Sequence, residues 1–472
     1  MIRLTLRELR VAPAQHIATL IVSTIGAVLA TIVIETDQVL TSQSAVGGFT
    51  RHGFVRLLLD VLGSVFLFVA IFVSCIVIAN TFGIVMAARS QRIALLRLLG
   101  AEGRVLRRGV ALEGVIVGAV GGVLGTLLGV GIANALVAVL TSSGTFLAAP
   151  SPLWTPLLVA PTLIAVATTA GAAWFGSRRV ASVTPLEATG VGQEASLADL
   201  QRGARPWLGY ACLAVGALIL AGGVAIGART PFGLFVAAPG GGLSFLGFVL
   251  ASNTVLPPVL RLVGALFGRS APVALARANA LRHPARSARS AVGLVIGVTL
   301  VTMFAVAAAC FGTQAGAVAA GAPPQEAASD AAFVALVLGV LGVLIGFSLA
   351  IAAVGLVNSL SLSVLQRRRE IGLLRALGLD RRQVRIMVLV ESLQLTIAGG
   401  LVGLVLGIVY GWAAALTALS SDHHIGGYFL PTIPVSLVVI VLAAAAVLAV
   451  VASLAPTRRA TAVSPVTALA VD

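Results

Sequence analysis

The chain has 472 residues, of which 59% are hydrophobic and only 10% are charged, whereas a soluble globular domain carries about 25% charged residues. A water-soluble core cannot hide that much apolar surface, so the composition excludes a soluble fold and reads as an all-α integral membrane protein. The formal net charge is +15 and all 31 basic residues are arginine; without lysine, a phosphate-binding loop of the G-x-x-x-x-G-K-[ST] kind is excluded.

In chain order, the first element is a basic amphipathic piece at 2–12, expected to lie along the inner leaflet as an interfacial helix. A bilayer core about 30 Å thick needs about 20 apolar residues as helix. Ten stretches satisfy this: 17–34, 56–86, 110–140, 153–176, 207–227, 232–252, 290–312, 331–360, 387–418 and 432–454. The first resembles a signal peptide, because Arg3, Arg7 and Arg10 precede an apolar run. The same arrangement recurs at 275–312, where a cleaved signal cannot be, so 17–34 is read as a retained helix. The internal interfacial piece covers 273–283. Cys75, Cys212 and Cys310 each sit in an apolar run without C-x-x-C spacing, as small buried hydrophobes do.

Arginine position sets the topology. With the N-terminus cytoplasmic, the segments 1–16, 87–109, 177–206, 253–289, 361–386 and 455–472 hold 28 of the 31 arginines. Arg51, Arg56 and Arg229 are the exceptions. The positive-inside rule therefore accounts for the basic excess, nucleic-acid binding is unnecessary, and both termini are expected in the cytoplasm of a multi-pass membrane protein.

The chain repeats itself. Residues 80–129 match 358–407 without a gap at an offset of 278, with 17 of 50 positions identical. Two inserted residues later, SRRVASVTPLEA at 177–188 matches TRRATAVSPVTA at 457–468. The expected organisation is a first four-helix unit with its interfacial helix (1–190), a two-helix linker (191–270) and a second four-helix unit with its interfacial helix (271–472). The offset crosses six spans, an even number, so the units should be parallel repeats related by an axis along the membrane normal.

Within each repeat a short amphipathic helix is expected, with Ile93, Leu96 and Leu99 at helical spacing. Gly100 stands where a helix C′ residue needs positive φ, and Asp380 could cap the following helix in the second copy. Arg92 and Arg97 accompany the apolar stripe. Such a helix suits docking into a groove of another protein, with arginines meeting acidic residues at the rim. The alternative is a solvated loop whose arginines only orient the chain or touch lipid phosphates.

The pattern R-x-x-[ER]-I-x-L-L-R-x-L-G, then V-x-x-E, then G-G-x-x-G-x-x-x-G occurs in both halves. It resembles the FtsX-like permease domain of MacB-like and LolC/LolE-type ABC transporters, over 56–188 and 331–469. Two such domains in a ten-span chain resemble the single-chain BceB-type permeases. The resemblance implies that 89–104 and 367–382 are coupling segments meeting a cytoplasmic ABC ATPase, in two copies, through Arg92, Ile93, Leu96, Arg97 and Gly100 and through Glu370, Ile371, Leu374, Arg375 and Gly378. It implies no cofactor in this chain, with ATP and Mg held by the partner ATPase, and hence no enzymatic site of its own. One departure stands out. The connections where those families carry a large extracytoplasmic domain hold only 35–55 and 313–330. This removes roles that need such a domain and leaves a membrane-embedded machine for amphipathic or lipid-like molecules.

Three further features carry expectations. Gly121, Gly125 and Gly129, with Gly399, Gly403 and Gly407, form small-xxx-small ridges for close helix packing. Glu113 and Glu391 are expected to form ion pairs with coupling-segment arginines. Asp422, His423 and His424 share a loop, but two adjacent histidines do not make a full metal site, and no catalytic constellation stands out. Two other functions stay open: an ion-coupled secondary transporter, opposed by the near absence of charge in span centres, and ATP-driven transmission of motion to an extracytoplasmic partner.

Overall fold

The computed structural model describes residues 13–45, 63–79 (except 66, 70 and 73), 82, 90–142, 158–177, 206–319 (except 231, 269 and 283), 334, 337–353 (except 351), 373–419, 428–447 (except 437 and 445) and 450. Among the described residues there are helices and no strands, as expected where lipid cannot satisfy backbone N–H and C=O groups. The named elements are α1 (Pro13–Ala45), α2 (Ser90–Leu98), α3 (Gly103–Ser142), α4 (Val159–Gly176), α5 (Pro206–Gly227), α6 (Gly233–Ala265), α7 (Ala271–Arg282), α8 (Pro284–Ala319) and α9 (Arg381–Leu419). Shorter apolar helical segments lie within 63–79 and at 337–350. Among the described residues, five helices, α3, α5, α6, α8 and α9, are long and apolar enough to cross a membrane.

Helix ends differ most from the hydropathy reading where helix continues past the apolar run. α1 extends to Ala45, through residues read as a loop. α6 runs on to Ala265 with Pro257 and Pro258 inside it. α3 and α9, of 40 and 39 residues, start before their apolar runs. Hydropathy marks where lipid begins, whereas a helix ends where its backbone finds a cap, so the two limits need not coincide. The internal interfacial helix is present as α7, and Ser287 Oγ bonds Ala280 C=O (2.7 Å) where α7 turns into α8. The N-terminal piece 2–12 and the segments 178–205, 420–427 (with Asp422, His423 and His424) and 451–472 lie outside the described residues.

The glycine ridges decide how helices meet. A side-chain carbon at Gly125 would sit 2.5 Å from Ala27 Cβ of α1, and one at Gly129 2.6 Å from Thr31 Cβ. On α9, a carbon at Gly403 would sit 2.8 Å from Val298 Cβ of α8, and one at Gly407 2.6 Å from Thr302 Cβ. Gly121 meets Ser23, and Gly399 meets Leu294. The glycines of the two copies are 278 apart, but their partners Ser23/Leu294, Ala27/Val298 and Thr31/Thr302 are each 271 apart. The first helices of the two units are thus matched in space at a register that sequence comparison did not find, because only their small contact surfaces correspond. On the other side of the ridge, Gly122 meets Thr162 of α4 and Gly400 meets Leu442, partners 280 apart, in keeping with the two-residue insertion.

α5 and α6 form a hairpin built on glycines at heptad spacing. Gly209, Gly216 and Gly223 of α5 meet Ala251, Ser244 and Ala237, while Gly233, Gly240 and Gly247 of α6 meet Gly227, Leu220 and Leu213. A seven-residue repeat keeps one face of each helix on the seam, and glycine lets the backbones come close enough for dispersion to hold them without a hydrophobic driving force. The hairpin packs on α9, and α6 also packs on α8.

These contacts predict a position-specific effect. Gly407→Val should destabilise the protein by about 1–3 kcal/mol through overpacking. Gly131→Val, where a Cβ meets nothing within 4 Å and the second copy already carries Val409, should change it by less than about 0.5 kcal/mol. Thermal unfolding of the two variants in nanodiscs compares them directly.

Candidate functional site

The strongest local correspondence between the halves is the turn before each long helix. Gly100 has φ +91° and Gly378 φ +102°. Among the described residues these are the positive-φ positions, a conformation that a β-carbon disfavours by about 1–2 kcal/mol. In the first turn, the N–H of Ala101 donates to Leu96 C=O (2.9 Å). In the second, the N–H of Leu379 donates to Leu374 C=O (3.1 Å) and that of Gly378 to Arg375 C=O (3.1 Å). These are the six-to-one and five-to-two bonds of a Schellman motif. Asp380 then serves as N-cap of α9: its C=O accepts from the Val384 N–H (3.0 Å), and its own N–H donates to Gln383 Oε1 (3.0 Å), one half of a capping box. Glu102 C=O plays the same backbone role for the Leu106 N–H (3.2 Å) at the start of α3 and also accepts from the Val105 N–H (3.0 Å).

The apolar residues divide between two sides of these turns. Ile93 and Ala94 are buried at 7% and 0% exposure. Leu96 and Leu374 are half-buried, and Leu374 and Leu379 pack around a core of Ala276 on α7 with Val384, Met387 and Val388 on α9. The opposite side is open. Leu95 and Leu99 are 52% and 85% exposed, and their repeat partners Leu373 and Leu377 are 52% and 73% exposed. The expected outward stripe therefore needs correction. Ile93 faces the protein's own interior, while Leu95, Leu373 and Leu377, outside the predicted set, are presented outward together with Leu99. Helical spacing identifies apolar positions on a short helix but cannot tell which of two apolar sides its own bundle takes. Recurrence does not separate the sides either, since Ile93 and Leu96 recur as Ile371 and Leu374 just as Leu95 and Leu99 recur as Leu373 and Leu377.

Of the remaining predicted residues, Arg92 and Arg97 lie on α2, but their side chains are outside what the structure describes, as are Glu370 and Ile371 entirely. Arg375 is half-buried and engaged by a partner. Glu113 and Glu391 are buried at 2% and 6% exposure, and neither lacks a partner. Each stands ten residues into its helix, about 15 Å along the axis from the turn. Arg107, not singled out in the sequence, lies 4.2 Å from the Trp174 ring centroid and donates from Nη2 to the Trp174 C=O (3.4 Å), tying the start of α3 to the end of α4. The second half is tied differently. Gln394 Nε2 donates to Leu260 C=O of α6 (2.8 Å), and Tyr410 OH shares a hydrogen bond with Ser244 Oγ (2.9 Å). Both residues lie on α9 and fasten the α5–α6 hairpin to it. Among the described residues, no group of three or more His, Cys, Asp or Glu side chains is placed to hold a metal ion.

The FtsX-like permease C-terminal domain matches residues 64–185 and again residues 342–465, together more than half of the chain. The chain belongs to the FtsX-like permease family. Each matched stretch contains one turn, one ridge helix and one of the pair Glu113 and Glu391. The chain is similar to the uncharacterized ABC transporter permease MJ1507 of Methanocaldococcus jannaschii, 35% identical over 142 residues, 29% of this chain and 34% of that protein. It is also similar to the macrolide export ATP-binding/permease protein MacB of Chlorobium luteolum, 38% identical over 117 residues, 24% of this chain and 16% of that protein. A third relative is the lipoprotein-releasing system transmembrane protein LolC of Haemophilus influenzae, 32% identical over 130 residues, 27% of this chain and 33% of that protein. The matched segments thus span about a third or less of each relative. What matches is the permease domain of an ABC transporter, a multi-pass membrane unit.

The turns give a second prediction. Gly100→Ala and Gly378→Ala should each weaken the local cap by about 1–2 kcal/mol. Hydrogen exchange at the Ala101 and Leu379 amides should accelerate about tenfold, with little change in the helix centres.

Proposed function

We propose that this FtsX-like protein is the transmembrane subunit of an ABC transporter that docks two copies of a separate cytoplasmic ATPase, one on each turn. The observation that carries the reading is the pair of exposed leucines, Leu95 with Leu99 and Leu373 with Leu377, beside equivalent glycine turns in both halves. A fully buried leucine is worth about 1.5–3 kcal/mol relative to an exposed one, so two leucines per turn supply the apolar centre of a small docking site. Exposed arginines at the start of the following helix, Arg104 and Arg108 on α3 and Arg381 and Arg382 on α9, supply a rim for acidic partner residues. ATP and Mg belong to the partner in this reading, in keeping with a chain that lacks lysine.

The proposed arrangement is ten spans in two parallel four-helix units, with both termini and both turns in the cytoplasm of a bacterial plasma-membrane protein. The Schellman bonds make each turn a stiff corner, so a displacement imposed on it passes into α3 or α9. The ridge glycines of those helices then carry it to α1 or α8. Buried Glu113 and Glu391 pair with coupling-segment arginines and keep corner and helix moving together. ATP-driven approach of the two docked ATPases would move the units against one another and export or extract an amphipathic or lipid-like molecule from the bilayer.

Co-purification with the ATPase encoded beside this gene tests the reading. The Leu99→Asp/Leu377→Asp double variant should lose the ATPase while keeping its thermal stability within about 0.5 kcal/mol of the parent, as surface changes usually do. Leu127→Ala on a lipid-exposed face of α3 should retain it. Failure of the unaltered protein to bind that ATPase, with or without nucleotide, would reject the reading.

A further inference from the structure

A cavity of about 130 Å³ opens between the segment 63–79 and the block formed by α5, α6, α8 and α9. Phe68 and Phe72 stack along one wall with centroids 5.9 Å apart. Phe245 of α6, Phe304 of α8 and Tyr410 of α9 form much of the rest, and Phe245 meets Tyr410 edge-on with centroids 6.3 Å apart. The size is close to that of the apolar cavity, about 150 Å³, that takes up benzene or xenon. The cavity reaches Tyr410, 29 residues past the start of α9, so it lies about 44 Å along that helix from the Gly378 turn.

One polar residue sets this cavity apart from a packing defect. Thr299 of α8 lines it, is 3% exposed, and its Oγ1 is buried without a hydrogen-bond partner. Several helical threonines elsewhere bond back one turn, Thr31 Oγ1 to Ala27 C=O (2.8 Å), Thr417 Oγ1 to Ala413 C=O (2.6 Å) and Thr24 Oγ1 to Leu20 C=O (2.8 Å), while Thr396 of α9, which does not line the cavity, is likewise unpaired. At the 271-residue spacing of the ridge contacts the counterpart of Thr299 in the first unit is Val28, so the hydroxyl belongs to one unit only. A buried hydroxyl left unpaired is unfavourable, and Tyr410 OH is already engaged by Ser244.

We propose that this cavity binds the apolar segment of a membrane-soluble molecule that carries one hydroxyl or carbonyl oxygen, with Thr299 Oγ1 as its hydrogen-bond partner. The inference rests on the transporter reading for its purpose, because the cavity lies on the seam between the first unit's segment 63–79 and the block containing the second unit. Relative motion of those two bodies would open or close it. The occupant's chemistry stands on the cavity alone.

The test is photolabelling of the full chain in nanodiscs with a diazirine-bearing octanol, read by peptide mass spectrometry. Labelling should concentrate on peptides containing Phe68, Phe72, Phe245 and Tyr410, and 1-octanol should compete better than octane. Thr299→Val should weaken competition by octanol about fivefold to tenfold, the worth of one hydrogen bond, and leave octane unchanged. Gly242→Leu should abolish the labelling, since a Cβ there meets Phe68 at an ordinary 3.5 Å and a longer chain would fill the space. Repeating the work in ether-linked lipid, which has no ester carbonyl, separates the sources. Stronger labelling than in ester-linked lipid identifies bilayer lipid as the resident occupant, and equal labelling identifies a transported molecule. Labelling spread over lipid-facing residues such as Val123 and Leu127, or equal competition by octane and octanol, would overturn the proposal. No ATPase enters this experiment. A labelled cavity in a chain that binds no ATPase therefore rejects only the transporter reading, and an ATPase-bound chain with an unlabelled cavity rejects only this one.

Discussion

Close approach of helices at glycine is the interaction on which the other features depend. In lipid, apolar side chains gain nothing by leaving their surroundings, so helices associate through dispersion contacts that small residues permit. Gly121, Gly125 and Gly129 bring α3 against α1, and Gly399, Gly403 and Gly407 bring α9 against α8. Because the same helices begin at the Gly100 and Gly378 turns, each ridge helix is joined directly to the turn that presents the exposed leucines.

The two units are not equivalent in their surroundings. The α5–α6 hairpin, itself held by heptad glycines, is fastened to α9 through Gln394, Tyr410 and the contact of Gly227 with Thr417. In the first unit the positions matching Gln394 and Tyr410 are Ile116 and Ile132, neither able to form such bonds. Ile132 is 44% exposed where Tyr410 is 8% exposed. The two copies thus differ at these two positions, and the polar side chains of the second copy hold the hairpin. The cavity beside Thr299 is a consequence, since it lies where the hairpin, α8 and α9 meet the segment 63–79.

Much of the turn could be read from residue order, because it is made of local interactions. A glycine at C′, an aspartate with glutamine three residues later, and an apolar run beginning soon after describe a Schellman end followed by a capping box. The ridges were legible for the same reason, as a spacing of four on one helix. Ile93 shows where that reasoning stops. Its spacing marks it as apolar and helical, and only the neighbouring helices decide that it is covered while Leu95 is not. Thr299 is a sharper case, since nothing adjacent in the chain distinguishes it from Thr31, which bonds its own backbone.

The sequence by itself determined the membrane class, the internal duplication, the glycine turns and the ridges, because apolar run length, backbone freedom and residue spacing are properties of short segments. Tertiary structure alone decided the 271-residue match of the first helices, the side of each turn left exposed, the seating of the hairpin on one unit and the cavity with its unpaired hydroxyl. Each of these depends on contacts between segments far apart in the chain. Apolar residues that face lipid and apolar residues that face other helices share one hydropathy, so their order along the chain could not separate them.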